Sequence, residues 1–90
     1  MNIANESIVL KAKILEHMAR QRKWQHSHTA IENLEKGFPK HLRGRIKELV
    51  DELIKEGLVL PKRTNYGVQV SLNFEKKEEI YRYIERLNSV

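Results

Sequence analysis

The sequence predicts a mainly helical α+β fold: a three-helix core, a two-stranded hairpin and an extra helix at the C-terminal end. Three observations carry that expectation. In PKHLRGRIKELVDELIKEG, residues 39–57, the apolar residues Leu42, Ile46, Leu49, Val50, Leu53 and Ile54 recur at i, i+4, i+7 and share one helical face. After Gly57 the apolar period drops to two, through Leu58 and Leu60, then Val68, Val70 and Leu72. The run Gly37-Phe38-Pro39 ends one helix and starts the next, because the residue before proline is pushed toward extended backbone.

Ninety residues hold one domain with one modest core, expected over 1–90 with the core at about 6–73 and the last helix at about 74–88. The first helix is expected from about Glu6 to Arg22, capped by Asn5, with Ile8, Ala12, Leu15, Met18 and Ala19 inward. Lys11, Lys13 and Glu16 form its solvated back, and His17 borders the stripe. Trp24 to His28 reads as a linker or brief strand, with Trp24 anchoring it on the core. His26 and His28 alternate and can share a strand face, but zinc needs at least three protein ligands and the chain has no cysteine. A structural role is preferred for both histidines, and no metal or other cofactor is expected.

Thr29-Ala30-Ile31-Glu32 has the spacing of a capping box, so a short second helix is expected to start there. It turns Ile31 and Leu34 inward and stops at Gly37 in the left-handed conformation. Phe38 plugs the turn. The long third helix then takes Pro39 as its first residue and Gly57 as the residue just past its end. Between the strands, residues 61–67 read as a cationic loop in which Asn65 and Gly67 supply turn chemistry and Pro61 demands an edge or strand-end position. Asn73 caps the last helix, whose stripe is Ile80, Tyr83, Ile84 and Leu87. That stripe either folds onto the first helix or pairs with a second copy of the chain, and the homodimer is the favoured expectation.

The formal charge is +5, but its distribution says more. His17–Ile31, Lys36–Lys47 and Gly57–Phe74 contain no Asp or Glu and hold ten of the seventeen cations, so the rest of the chain is net acidic. Segregation of this kind is the footprint of a polyanion-binding surface, provided the three stretches converge in space. Within the long helix Lys40, Arg43, Arg45 and Lys47 precede Glu48, Asp51, Glu52 and Glu56. This order opposes the helix dipole by about 0.3 to 1 kcal/mol per charge, which a polyanion at the leading half explains. Gly44 points away from the apolar face and permits close approach of a partner. The plain alternative is a solvated helix with a Lys47–Asp51 pair.

The order helix, short strand, helix, turn, long helix, hairpin resembles the winged helix-turn-helix superfamily, especially where ELVDELIKEGLVLPKR joins the long helix to the first hairpin strand. The likeness is to small prokaryotic regulators of this class, archaeal ones included. It implies a DNA-binding, cytoplasmic transcriptional regulator, nucleoid-associated in a prokaryote, with helix 3 in the major groove and double-stranded DNA as partner. The residues it puts at DNA are Lys40, His41, Arg43, Gly44, Arg45 and Lys47 on the helix, Lys62, Arg63, Asn65 and Tyr66 on the wing, and Thr29 at the start of helix 2. The same fold also serves RNA- or ribosome-associated modules and protein–protein adaptors. An enzyme is not expected, since no nucleophile–base pair, phosphate-cradling glycine loop or cleft carboxylate pair is present; Glu78 and Glu79 read as solvated. No apolar run exceeds four residues and no leader pattern opens the chain, so neither a membrane span nor a secretory signal is expected.

Overall fold

The computed structural model describes residues 3–88, with side chains from residue 6 to residue 87. Four helices and a three-stranded antiparallel sheet follow in the order α1 (Ile3–Arg20), β1 (Thr29–Ala30), α2 (Ile31–Glu35), α3 (Arg43–Lys55), β2 (Val59–Thr64), β3 (Gly67–Leu72) and α4 (Lys77–Asn88). Among the described residues no helix is long and apolar enough to cross a membrane. Val90 lies outside the described residues.

Helix α1 starts earlier than expected, so Asn5 lies inside it and is not its cap. It stops at Arg20 because Arg22 turns left-handed, with φ 57°. The Arg22 and Lys23 N–H groups donate to the Ala19 and Met18 carbonyls at 3.0 Å each, closing the helix end where glycine is the usual residue. Ala12, Ile14, Leu15 and Met18 are fully buried, whereas Ile8 is exposed. Ile14 joins the core because α1 packs against both α3 and α4, which widens the stripe beyond that of a helix covered on one side.

Leu72 N–H donates to the Lys23 carbonyl at 2.7 Å and Gln25 N–H to the Leu72 carbonyl at 2.9 Å, so the 23–25 segment is stitched alongside β3. Thr29 then pairs with Val70. This pairing overturns the capping box: the extended backbone runs on to Ala30, which occupies the cap position of α2 without a side-chain hydrogen bond. Gly37 does not take the left-handed conformation expected of it. Positive φ among the glycines belongs to Gly57 and Gly67. At Gly37 the constraint is space, since a Cβ there would stand 2.9 Å from His17 Cε1. Phe38 is half-buried beside His17, ring centroids 6.2 Å apart, and packs on the core.

The third helix is shorter than expected at its start. Pro39 is extended (φ −56°, ψ 148°), Lys40–Leu42 form a single tight 3₁₀ turn, and α-helix begins at Arg43. It ends at Gly57, whose φ of 80° lets the Leu58 N–H reach back to the Leu53 carbonyl at 3.0 Å.

The sheet order is β1-β3-β2, so β2 is an outer strand and accommodates Pro61. Its register runs from Val59↔Leu72 to Thr64↔Gly67. Pro61 to Thr64, expected in a loop, are therefore strand residues, and the tip is only Asn65-Tyr66. The Thr64 hydroxyl donates to the Gly67 carbonyl at 2.8 Å and accepts from the Tyr66 N–H at 3.1 Å. Val59 and Ser71 are fully buried, against the simple alternation.

Asn73 accepts from the Glu75 N–H at 3.1 Å, capping a short 3₁₀ turn that leads into α4. Much of the stripe on α4 is used within the monomer: Ile80 is fully buried, the half-buried Tyr83 and Ile84 pack on the core, and α4 lies against α1. Of the four residues expected at a homodimer surface, Ile80 is thus taken up by the core, whereas Tyr83, Ile84 and Leu87 are half-buried and keep part of their apolar surface open. Three helices are also clipped by polar groups. Lys11 Nζ lies 3.3 Å from Glu52 Oε1 and 3.0 Å from Glu56 Oε2, and the Tyr83 hydroxyl donates to Glu56 Oε1 at 2.9 Å.

Candidate nucleic-acid interface

The leading end of α3 and its preceding turn present four uncovered positions: Lys40, His41, Gly44 and Lys47 are all exposed. A Cβ built on Gly44 meets nothing within 4 Å, so a partner's backbone can approach there without displacing protein. This openness follows from the sequence spacing, because the four residues avoid the line of Ile46, Leu49, Val50 and Leu53 that faces the core.

The two arginines behave differently. Arg45 is half-buried, hydrogen-bonded to the Ser7 hydroxyl of α1 and 3.4 Å from Glu48 Oε2. Arg43 is also half-buried, and its Nε is closed off without a hydrogen-bond partner among the described residues. Both were expected at the front of the site, but they lie on the flanks of α3, and Arg45 is turned toward α1. A groove of about 420 Å³ between the helices is lined by Glu6, Val9, Leu10, His41, Leu42 and Arg45. Ser7 carries no sequence signal for its contact, since a lone serine on a helix back is compatible with any neighbour.

On the hairpin Lys62, Arg63, Asn65 and Tyr66 are exposed, with Tyr66 fully so at the tip. Thr29 is the clear misplacement: only 8% exposed and paired in β1, it offers almost nothing to a phosphate.

The three acid-free stretches do come into partial contact. His17 and Arg20, from the first, line a groove with Gly37 and Phe38 of the second. At the other end of the first stretch, Gln25, His26 and His28 line a separate groove with Leu60, Pro61, Lys62 and Ser71 of the third. The segment 17–31 is therefore the bridge between the other two. Its own cations are partly engaged: Arg20 pairs with Glu16 at 2.7 Å, and Lys23 is half-buried beside β3. His26 is exposed and His28 half-buried, and among the described residues no third His, Cys, Asp or Glu joins them in a metal-holding group.

In the polar clip the fold raises the proton affinity of both Lys11 and Tyr83. Burial pulls the Lys11 ammonium down, but its hydrogen bond and charge interaction with Glu56, together with Glu52, outweigh this and raise its pKa. For Tyr83, burial and then the hydrogen bond to Glu56 both raise the pKa of the phenol. Both groups thus hold their protons more tightly in the folded chain, as expected of a structural contact.

Comparison with protein-family models, with curated proteins and with solved structures finds no match to this chain.

Proposed function

We propose that this chain is a duplex-DNA-binding protein of the winged helix-turn-helix type that acts in transcription regulation, in the cytoplasm or on a nucleoid. The leading half of α3 faces the major groove, and the β2–β3 hairpin serves as a wing along the backbone. The observation that carries this reading is the uncovered group Lys40, His41, Gly44 and Lys47 on the leading end of α3 and the turn before it, opposite the apolar line Ile46, Leu49, Val50 and Leu53 that faces the core. The element order and the sheet order β1-β3-β2 support it, as do the exposed Lys62 and Arg63.

Lys40 and Lys47 are the principal cations in this arrangement, and His41 is placed to meet a base edge or a phosphate. Arg43 and Arg45 add positive potential from the flanks, where Arg45 also braces the helix through Ser7 and Glu48. Glu48 and Asp51 are exposed one turn further on and tilt the trailing half away from phosphate.

Fluorescence-anisotropy titrations of duplex DNA, single-stranded DNA and structured RNA, each at two salt concentrations, test the reading. Duplex DNA is expected to bind best, and about six phosphate contacts give a slope of log K against log salt near −0.9 times that number. Tighter binding to RNA, or no salt-dependent duplex binding, overturns it.

A further inference from the structure

The groove on the outer face of the sheet has a composition that neither folding nor the DNA reading requires. It encloses about 440 Å³ and is lined by Gln25, His26, His28, Leu60, Pro61, Lys62 and Ser71. That volume lies within the range of small-molecule sites. Two of the acid-free stretches meet here, brought together when the 23–30 segment is stitched to β3.

Ser71 is the informative residue. Its neighbours Val70 and Leu72 are core residues, whereas Ser71 alternates to the other face, opposite Leu60 in the strand register. The residue is 0% exposed, and among the described residues its Oγ has no hydrogen-bond partner. A buried hydroxyl without a partner is costly, and a small apolar residue would serve packing better. Gln25 adds a second donor. Its Oε1 is already used, accepting from the Phe74 N–H at 2.9 Å, so its amide NH₂ remains to donate. Lys62 brings an ammonium and the two histidines bring imidazole N–H groups, while among the described residues no carboxylate lines the groove. Leu60 and Pro61 supply an apolar wall.

From this we propose that the groove is a binding site for a phosphate group, with Ser71, Gln25, Lys62 and His28 as its donors. A donor set with a cation and no acid selects an oxyanion over a metal ion. The apolar wall suits a phosphate monoester that carries a small apolar body. Lys62 is shared with the proposed wing, so the phosphate has two possible sources: a soluble ester, or the backbone of bound DNA. The site itself does not depend on the DNA reading.

The test uses the ¹⁵N-labelled full chain titrated with inorganic phosphate and with phenyl phosphate, followed by amide chemical shifts. Saturable shifts are expected at Gln25, His28, Lys62 and Ser71, with phenyl phosphate the tighter of the two. Ser71→Ala and Lys62→Gln should each weaken phenyl phosphate roughly tenfold, the scale of one hydrogen bond to a charged group. Absence of saturable shifts at these residues, or unchanged affinity in both variants, overturns the site. Repeating the duplex titration with Ser71→Ala separates the sources: a parallel loss of DNA affinity identifies the backbone phosphate, and unchanged DNA affinity identifies a soluble ester. A chain that binds phenyl phosphate but no duplex retains this site while removing the DNA reading.

Discussion

The two halves of α3 carry opposite charges and have opposite fates. In the trailing half Glu52 and Glu56 converge on Lys11 of α1, and Glu56 also holds Tyr83 of α4, so acids that look solvated in sequence become a clip across three helices. The leading half keeps Lys40, His41, Gly44 and Lys47 free of such covering. One periodic helix thus divides into a part whose charges are used for folding and a part whose charges remain available to a partner. Arg45 stands on the boundary, exposed in part yet tied to Ser7 and Glu48.

The largest expected effect tests the leading half. Reversing Lys40 and Lys47 together to Glu should reduce duplex affinity by at least about a hundredfold, since it removes two cations and adds two repulsive charges at a polyanion. Thermal unfolding followed by circular dichroism should be nearly unchanged, and a large loss of stability would move these lysines into the structural class. In the trailing half the outcome should invert: Glu56→Ala leaves Lys11 and Tyr83 short of a partner and should cost about 1 kcal/mol by urea denaturation, discounted for the partial exposure of Glu56. Its duplex affinity should stay the same.

Alkaline titration sharpens the same contrast. The raised pKa values of Lys11 and Tyr83 mean that the folded chain binds protons more tightly than the unfolded chain. Their contribution is complete below the ordinary values and is lost as pH rises past about 10. Unfolding free energy measured from pH 8 upward should therefore decline above that point, and Glu56→Ala should flatten the decline. The smallest effect belongs to Arg45→Ala, expected to cost about 0.5 kcal/mol of stability and to weaken DNA less than the double lysine reversal. An equal or greater loss of binding would place Arg45 inside the interface and erase the boundary.

Much of this fold was legible in local patterns. The inward line on α3, the Gly57 stop, the hairpin with Pro61 on an outer strand and the Asn73 cap all follow from periodicity and from backbone chemistry within a few residues. The acid-free stretches were equally plain. What misled was competition between local motifs and distant partners. Thr29 has ideal capping-box spacing, but its backbone pairs with Val70 instead. Gly37 looks like a helix terminator, and its real constraint is the imidazole of His17, twenty positions away.

The amino-acid order alone therefore determined the main helical and extended segments, though not their ends, and where positive charge is concentrated, because those properties depend largely on neighbours along the chain. Only the tertiary structure decided which charges stay exposed, that α4 lies against α1 with Ile80 in the core, and that the Ser71 hydroxyl is buried without a hydrogen-bond partner among the described residues. Those outcomes depend on what covers a side chain, and the covering elements are contributed by residues far away in sequence.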